Sequence, residues 1–184
     1  MNEQPAPLDR VRPLLRVRQI REFTDQPASP AELTAIADVA RWSGSSSNRQ
    51  PWRFVVVRDV ATLRRLHEAG LPQTRALATA TGAIVTVLPN EPDRMESFAF
   101  DDGRAAERML IAATFLDLGG AIQWVRPDVR PAIREILGLP TDRFARTIVA
   151  VGHPTPDARR PKSAPGTARL PRDQVVFEER WPAG

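Results

Sequence analysis

Ser45-Ser46-Ser47-Asn48-Arg49-Gln50-Pro51-Trp52-Arg53-Phe54-Val55-Val56-Val57 is the stretch on which the architecture turns. Its first half is built from Ser, Asn and Gln around a Pro, residues that favour tight turns and breaks in regular structure. Its second half, Arg53 to Val57, is a β-branched run of strand length. Helix signals flank it. Upstream, Ser29-Pro30-Ala31-Glu32 combines a capping hydroxyl, a proline at the first helical position and a glutamate placed to complete a capping box. Leu33, Ile36, Ala37 and Ala40 form the buried stripe of that helix, which Gly44 to Asn48 breaks. Downstream, Val60 to Ala69 reads as a short helix closing at Gly70.

The same alternation continues outward. Leu8, Val11, Leu14 and Leu15 suggest a first helix ending near Arg18, with Pro13 in its first turn or at a kink. Gly82 to Leu88 is a second apolar strand, followed by a loop over Pro89 to Asp93. The spacing of Ala105, Met109, Ala112, Ala113 and Leu116 predicts a central helix from about Asp102 to Leu118, ended by Gly119-Gly120. Ala121 to Val125 and Thr147 to Val151 read as strands, with a helix between them capped by Asp128 and stopped at Gly138. From His153 to Pro171 the chain is rich in Pro, Ala and Arg with no periodicity, before Val175-Val176-Phe177 offers one more short strand. Helices alternating with short strands indicate a layered α+β or α/β sheet.

At 184 residues with 42% hydrophobic and 26% charged residues, the composition is that of one globular domain, with or without an extension. No apolar run reaches membrane-spanning length and the opening MNEQPAPLDR lacks an apolar signal core, so a cytoplasmic protein that does not enter a membrane is expected. With no Cys and only His67 and His153, thiolate chemistry is excluded and a His-based zinc site is not expected. The net charge of +4 is carried almost wholly by arginine, Lys162 being the single lysine. Guanidinium groups match phosphate in bidentate fashion, yet arginines spread over helix faces are ordinarily solvated surface. No basic block interleaved with aromatics points to nucleic acid.

Dinucleotide, phosphate-loop, nucleophile-elbow and zinc-protease motifs are all absent. His67 lies on a charged helix face, LRRLHEAG, and reads as a solvent-facing residue; His153 sits in a loop before Pro154. Asp101 and Asp102 are adjacent, so they point apart, and helix capping accounts for at least one of them. Acid-base and nucleophilic catalysis by side chains therefore find no home here.

Three separated stretches remain: Arg18-Gln19-Ile20-Arg21-Glu22-Phe23, the Ser45 to Phe54 segment, and Ala168-Arg169-Leu170-Pro171. In this order, together with D-D-G-x-A-A-x-x-M-L-I-A-A on the central helix, I-L-G-L-P after it and V-G-H-P before the tail, they resemble the FMN-dependent nitroreductase family over almost the whole chain. The resemblance implies an α+β fold, a nitroreductase-like sheet flanked by helices, in an intertwined homodimer with FMN at each of two subunit interfaces. It divides the chain into an FMN-binding domain over 1–154 and a C-terminal extension over 155–184 that wraps the partner subunit. It also implies transfer of hydride from NADH or NADPH through FMN to nitroaromatics, quinones or similar small-molecule acceptors. A flavin supplies the chemistry in such a protein, consistent with the lack of a catalytic dyad.

Carried over by residue, the resemblance gives Arg18 a contact with the FMN phosphate or ribityl chain and Arg21 a place beside the flavin pyrimidine edge, where a cation favours the reduced state. Ser45, Ser46 and Asn48 match the loop that contacts FMN from the other subunit, while Gln50, Pro51 and Trp52 set the turn into the strand. Gln73, with Arg75, matches ribityl and pyrimidine ligands. The run Gln123-Trp124-Val125-Arg126 matches a strand end whose backbone N–H addresses flavin N5, so Val125 and Arg126 join the candidate site; Trp124 has a competing reading as plain core. Arg169 resembles a phosphate-binding arginine of the tail. Two departures thin the phosphate coordination: Val17-Arg18-Gln19 stands where Arg-Arg-Ser is common, leaving Gln19 to donate its amide, and Thr167 stands in place of a second tail cation. Rival readings are a flavoenzyme of the same fold with other chemistry, such as dehydrogenation, deiodination or flavin cleavage, and a non-catalytic basic module binding a polyanion.

Overall fold

In the computed structural model, residues 6–164 and 167–182 are described. Parts of the opening segment and of the Pro-rich tail that figured above lie outside the described residues.

Four strands, β1 (Arg53–Val57), β2 (Gly82–Pro89), β3 (Gly119–Trp124) and β4 (Arg143–Gly152), form one antiparallel sheet in the order β1-β2-β4-β3. Among the described residues five α-helices accompany them: α1 (Pro7–Val11), α2 (Pro30–Arg41), α3 (Val60–Gly70), α4 (Met95–Phe115) and α5 (Arg130–Leu137). Both sheet faces are covered. On one, Val57, Val85, Ala121 and Ile148 pack with Leu63 and Leu66 of α3 and Ile133 of α5. On the other, Ile84 and Val149 pack with Leu33 and Ile36 of α2 and Met109 of α4. A central sheet between two helical layers explains why β2 is buried on both sides and reads as a continuous apolar run.

The start of α2 follows its local signals: Ser29 accepts from the Glu32 N–H, and the Glu32 carboxylate accepts from the Ser29 N–H at 2.7 Å. Gly138 ends α5 in the left-handed conformation at φ 62°. Elsewhere tertiary packing overrides local cues. The central helix begins seven residues before Asp102, at Met95, after a 3-10 turn over Pro92–Arg94. Phe98, in that added part, is buried with Trp52, Leu88 and Phe144 beneath the sheet end. Gly119 and Gly120 do not terminate α4; they open β3, where a Cβ on Gly119 meets Ile20 Cγ2 at 2.6 Å and one on Gly120 meets Leu110 Cδ2 at 2.7 Å. Asp128 caps no helix: it lies in a 3-10 turn and pairs with Arg126 at 2.5 Å, and α5 starts two residues later. β4 starts at Arg143 rather than Thr147, with a register shift opposite Thr86 and Val87 that leaves Arg146 as the extra residue.

Val175-Val176-Phe177 forms no strand. The N–H groups of Val175 and Val176 both donate to the Arg172 carbonyl, closing a turn, so these two amides are committed locally rather than to a strand partner. The first helix is short, followed by a 3-10 turn over Arg12–Arg16, and its apolar residues Leu8, Val11, Leu14 and Leu15 are all exposed. None of the described helices is long and apolar enough to cross a membrane.

Candidate cofactor site

Gln19 and Ile20 lie along the free edge of β3, and Phe23 pairs instead with Pro154, just past the end of β4. The Ile20 N–H donates to the Gly120 carbonyl at 2.8 Å, and the Gln19 side-chain oxygen accepts from the Ile122 N–H at 2.8 Å, continuing the edge pairing with an amide in place of backbone. Ile20 is buried and Arg21, next along an extended chain, faces out. Arg21 forms no hydrogen bond or ion pair among the described residues. Arg18 does the opposite: its guanidinium donates to the carbonyls of Ala158 at 3.1 Å and Arg160 at 2.9 Å, and to that of Arg159, fastening the first turn of the tail. A guanidinium has five N–H donors, so Arg18 keeps capacity for an anion beside these contacts. Gln19 likewise keeps its amide N–H groups.

The loop between α2 and β1 is strained. Ser47, Asn48 and Gln50 have φ of 51°, 53° and 49°, a region costly for residues with a Cβ. Ser45 Oγ accepts from the Gln50 N–H at 2.9 Å, and Gln50 Nε2 donates to Asn48 Oδ1 at 3.1 Å. The Ser46 N–H is held from behind by both carboxylate oxygens of Asp101, at 3.1 and 3.2 Å. Asn48 is exposed; Ser46, exposed, and Ser45, half-buried, line an open cavity of about 570 Å³ together with Phe100, Asp101 and Arg104.

Asp101 is a residue that sequence reasoning missed. The pair Asp101-Asp102 does point apart, but neither carboxylate caps α4: both are buried in its body. Asp101 faces the Ser45–Gln50 loop, whereas Asp102 turns to the sheet and accepts from Thr147 Oγ1 at 2.6 Å. A signal was present, since two acids within an otherwise amphipathic helix need buried partners if they lie on its inner side.

Gln73 Oε1 is buried without a partner, and Arg75 is exposed. Gln123 accepts from the Ala76 N–H at 3.0 Å while its Nε2 is buried and unpaired. The expectation for Val125 meets a correction: its N–H donates to the Arg146 carbonyl at 3.1 Å, so that amide is committed to the sheet and cannot address a ligand. The pleat turns the Trp124 N–H, like that of Ile122, to the open edge instead. Arg126 is neutralised by Asp128 through bonds of 3.1 and 2.5 Å. Trp124 is 45% exposed, with the Arg146 guanidinium 5.6 Å from its ring centre, so it is not core. Arg169 is exposed and bonds to the carbonyl of its neighbour Ala168. His67 is half-buried rather than solvent-facing; its Nδ1 lies 3.1 Å from the Thr74 carbonyl, and Thr74 Oγ1 donates to the His67 carbonyl at 2.7 Å.

Burial raises the Asp102 carboxyl above its ordinary range, against the opposing pull of the Thr147 hydrogen bond and the Arg146 charge. A raised folded-state value means the native protein binds this proton more tightly than the unfolded chain, so stability from Asp102 is fully present below about pH 4 and is lost as pH rises through the folded value. Asp102→Asn should therefore gain stability relative to wild type as pH rises from 4 to 7, measured as the difference in urea midpoints. A variant that loses stability relative to wild type over this interval contradicts the assignment.

The chain resembles known proteins in sequence and in fold. Residues 16–80 match the model of the nitroreductase family. A protein of Archaeoglobus fulgidus, provisionally named an NADH dehydrogenase or NAD(P)H nitroreductase, is 31% identical over 141 residues, covering 74% of this chain and 80% of the relative. Nitroreductase A of Vibrio parahaemolyticus is 25% identical with a TM-score of 0.77, over 94% of this chain and 76% of that one. An FMN-dependent nitroreductase of Clostridium difficile has the same fold, with a TM-score of 0.77 at 24% identity over 91% of this chain and 98% of that one. Fold, edge segment and strained loop thus come together with a shared sequence, and the chain belongs to the nitroreductase family of oxidoreductases.

Proposed function

We infer that this oxidoreductase depends on FMN, uses NAD(P)H as electron donor and a nitroaromatic, quinone or similar small molecule as acceptor, and works as a homodimer. The observation that carries the reading is a separation. The Arg18–Phe23 segment lies at the end of the sheet where β3 begins and β4 finishes, whereas the Ser45–Asn48 loop precedes β1 at the opposite end. Helix α2 spans the distance between them, and its 12 residues measure about 18 Å. One chain does not bring its two binding segments together; two copies related by a two-fold axis supply each site with one segment apiece. The tail supports the same reading. Beyond Arg160 the described residues make hydrogen bonds only within the tail itself, while Leu170, Val175, Val176 and Trp181 stand exposed. A second subunit is what residues 155–184 are proposed to wrap.

The side chains suit FMN. Arg18, Arg21 and Arg169 supply charge for a phosphate and an electron-rich ring, and Gln73 Oε1 and Gln123 Nε2 are a buried acceptor and a buried donor without partners, matched to an amide-like pyrimidine edge. The FMN dependence of the Clostridium difficile enzyme of the same fold agrees. When bound, FMN supplies the two-electron chemistry between nicotinamide and acceptor. The chain itself binds and orients. Arg21, exposed beside Ile20 and without a partner among the described residues, holds a fixed positive charge that favours the reduced state. Arg18 ties the start of the tail to the binding segment, so cofactor binding and tail order are linked. Gln19 locks the segment to β3 through Ile122 and presents its remaining N–H groups outward.

Flavin absorbance of the purified protein, or after reconstitution with FMN, tests the cofactor, and sedimentation tests the dimer. Colourless protein that takes up no FMN overturns the reading. Arg21→Ala should lower the flavin midpoint potential and slow reduction by NAD(P)H, with a smaller loss of FMN affinity. Arg169→Ala should weaken FMN and leave the potential in place. Each 1.4 kcal/mol of differential stabilisation corresponds to about 30 mV for a two-electron couple. Equal losses of affinity with an unmoved potential would remove Arg21 from the flavin edge.

A further inference from the structure

We propose that Asp101 is a positioning residue, a buried carboxylate of α4 that holds the Ser45–Gln50 loop in its binding shape and thereby sets FMN affinity without touching the cofactor. The proposal rests on the functional reading above for the identity of the ligand. The carboxylate is 1% exposed and forms no ion pair among the described residues. A buried charge with no countercharge is unfavourable unless hydrogen bonds satisfy it, and the bonds found are those from the Ser46 N–H to its two oxygens. The loop it grips has three side-chain-bearing residues in the left-handed region within four positions, a shape that persists only where its surroundings enforce it. The bonds inside the loop, Ser45 to Gln50 and Gln50 to Asn48, close it on itself but attach it to nothing. Arg53 Nη1, which donates to the Gln50 carbonyl at 3.2 Å, ties its far end to β1. Asp101 provides the tie to the helical layer, and Gly44 fits the same side, where a Cβ would run into the Arg104 guanidinium one turn further along α4. With its N–H engaged from behind, Ser46 keeps its side chain on the exposed side, together with Asn48. Asp102 cannot substitute, because it bonds to Thr147 of the sheet.

The test pairs hydrogen exchange of the cofactor-free protein with FMN titration by flavin fluorescence. Asp101→Ala should speed exchange of the backbone amides of residues 46–50 by about tenfold or more and weaken FMN by a similar factor, while amides of β2 and β4 keep wild-type protection. Should that variant fail to fold, Ser46→Pro removes the same bond from the loop side. Proline fits there because Ser46 opens a 3-10 turn and Ser45 before it is extended at φ −136°, ψ 159°. Ser46→Pro should speed exchange at Asn48 to Gln50 in the same way. Unchanged exchange in either variant overturns the proposal, and so does faster exchange with unchanged FMN affinity, which would make the contact merely structural. A wild-type protein that binds no FMN refutes the functional reading instead; the exchange measurement needs no cofactor and still decides whether Asp101 holds the loop.

Discussion

Leu33→Ala should lower stability by about 2–5 kcal/mol, the range for emptying a fully buried leucine site. Leu33 lies in the buried stripe of α2, is wholly inaccessible, and packs onto the first residue of β2: a Cβ on Gly82 would stand 2.7 Å from Leu33 Cδ1. Ile36, Met109, Ile84 and Val149 surround the same layer, so the cavity is walled by two helices and a sheet that cannot all move inward. For a chain of this size the loss corresponds to a fall in Tm of roughly 5–15 °C. Leu33→Met, which nearly conserves volume, should lose less than about 1.5 kcal/mol. Thermal or urea unfolding of the two variants checks the pair. A loss below about 1 kcal/mol in Leu33→Ala would show that α2 does not sit on the sheet in this way.

Gly119→Ala should damage the fold and, with it, the proposed binding of FMN. The added Cβ meets Ile20 Cγ2 at 2.6 Å, Ile20 Cβ at 2.8 Å and Pro154 Cγ at 3.1 Å. A branched Cβ and a proline ring have no free end to swing aside, so the Ile20 backbone must lift from β3 and strain its bond to the Gly120 carbonyl. Overpacking of this kind destabilises by about 1–3 kcal/mol. Because Gln19 and Arg21 flank Ile20, their placement shifts with it, and FMN affinity should fall by about the worth of one charge-assisted contact, roughly 1.5–3 kcal/mol. Gly120→Ala is the control. Its Cβ meets only the Leu110 Cδ2 methyl below 3.7 Å, the mobile tip of a side chain on the far face of the sheet. It should be milder in thermal unfolding and leave FMN titration unchanged. Equal loss of FMN in both variants would show that glycine content of the strand, rather than the seat of Ile20, is what matters.

The reading of the candidate site from sequence divides along the same line. The segments proposed for it could be picked out, because Arg18–Phe23 and Ser45–Phe54 carry residue types in an order that a family resemblance recognises. What each side chain does could not be. Arg18 and Arg21 are the same residue three positions apart, yet one is bonded to the carbonyls of the tail and the other to nothing among the described residues. Val125 looks as available as its neighbours until the pleat commits its N–H to β4. Asp101 and Asp102 looked like a helix start, and the helix runs straight through them.

Determined by the sequence alone were the features whose cause lies within a few residues of chain: the capping box at Ser29 and Glu32, the strands of β-branched residues at Val55–Val57 and Ile84–Val87, and the left-handed stop at Gly138. Each is decided by backbone sterics or by bonds between near neighbours, which no distant part of the fold needs to supply. Only the tertiary structure decided that α4 begins at Met95, that Gly119-Gly120 is a seat for Ile20 and Leu110 rather than a helix end, and that the two aspartates serve a loop and a strand. Those outcomes depend on what packs opposite: a buried Phe98 extends a helix past an acidic pair, and a carboxylate on the inner face of that helix takes the donor that the neighbouring layer presents.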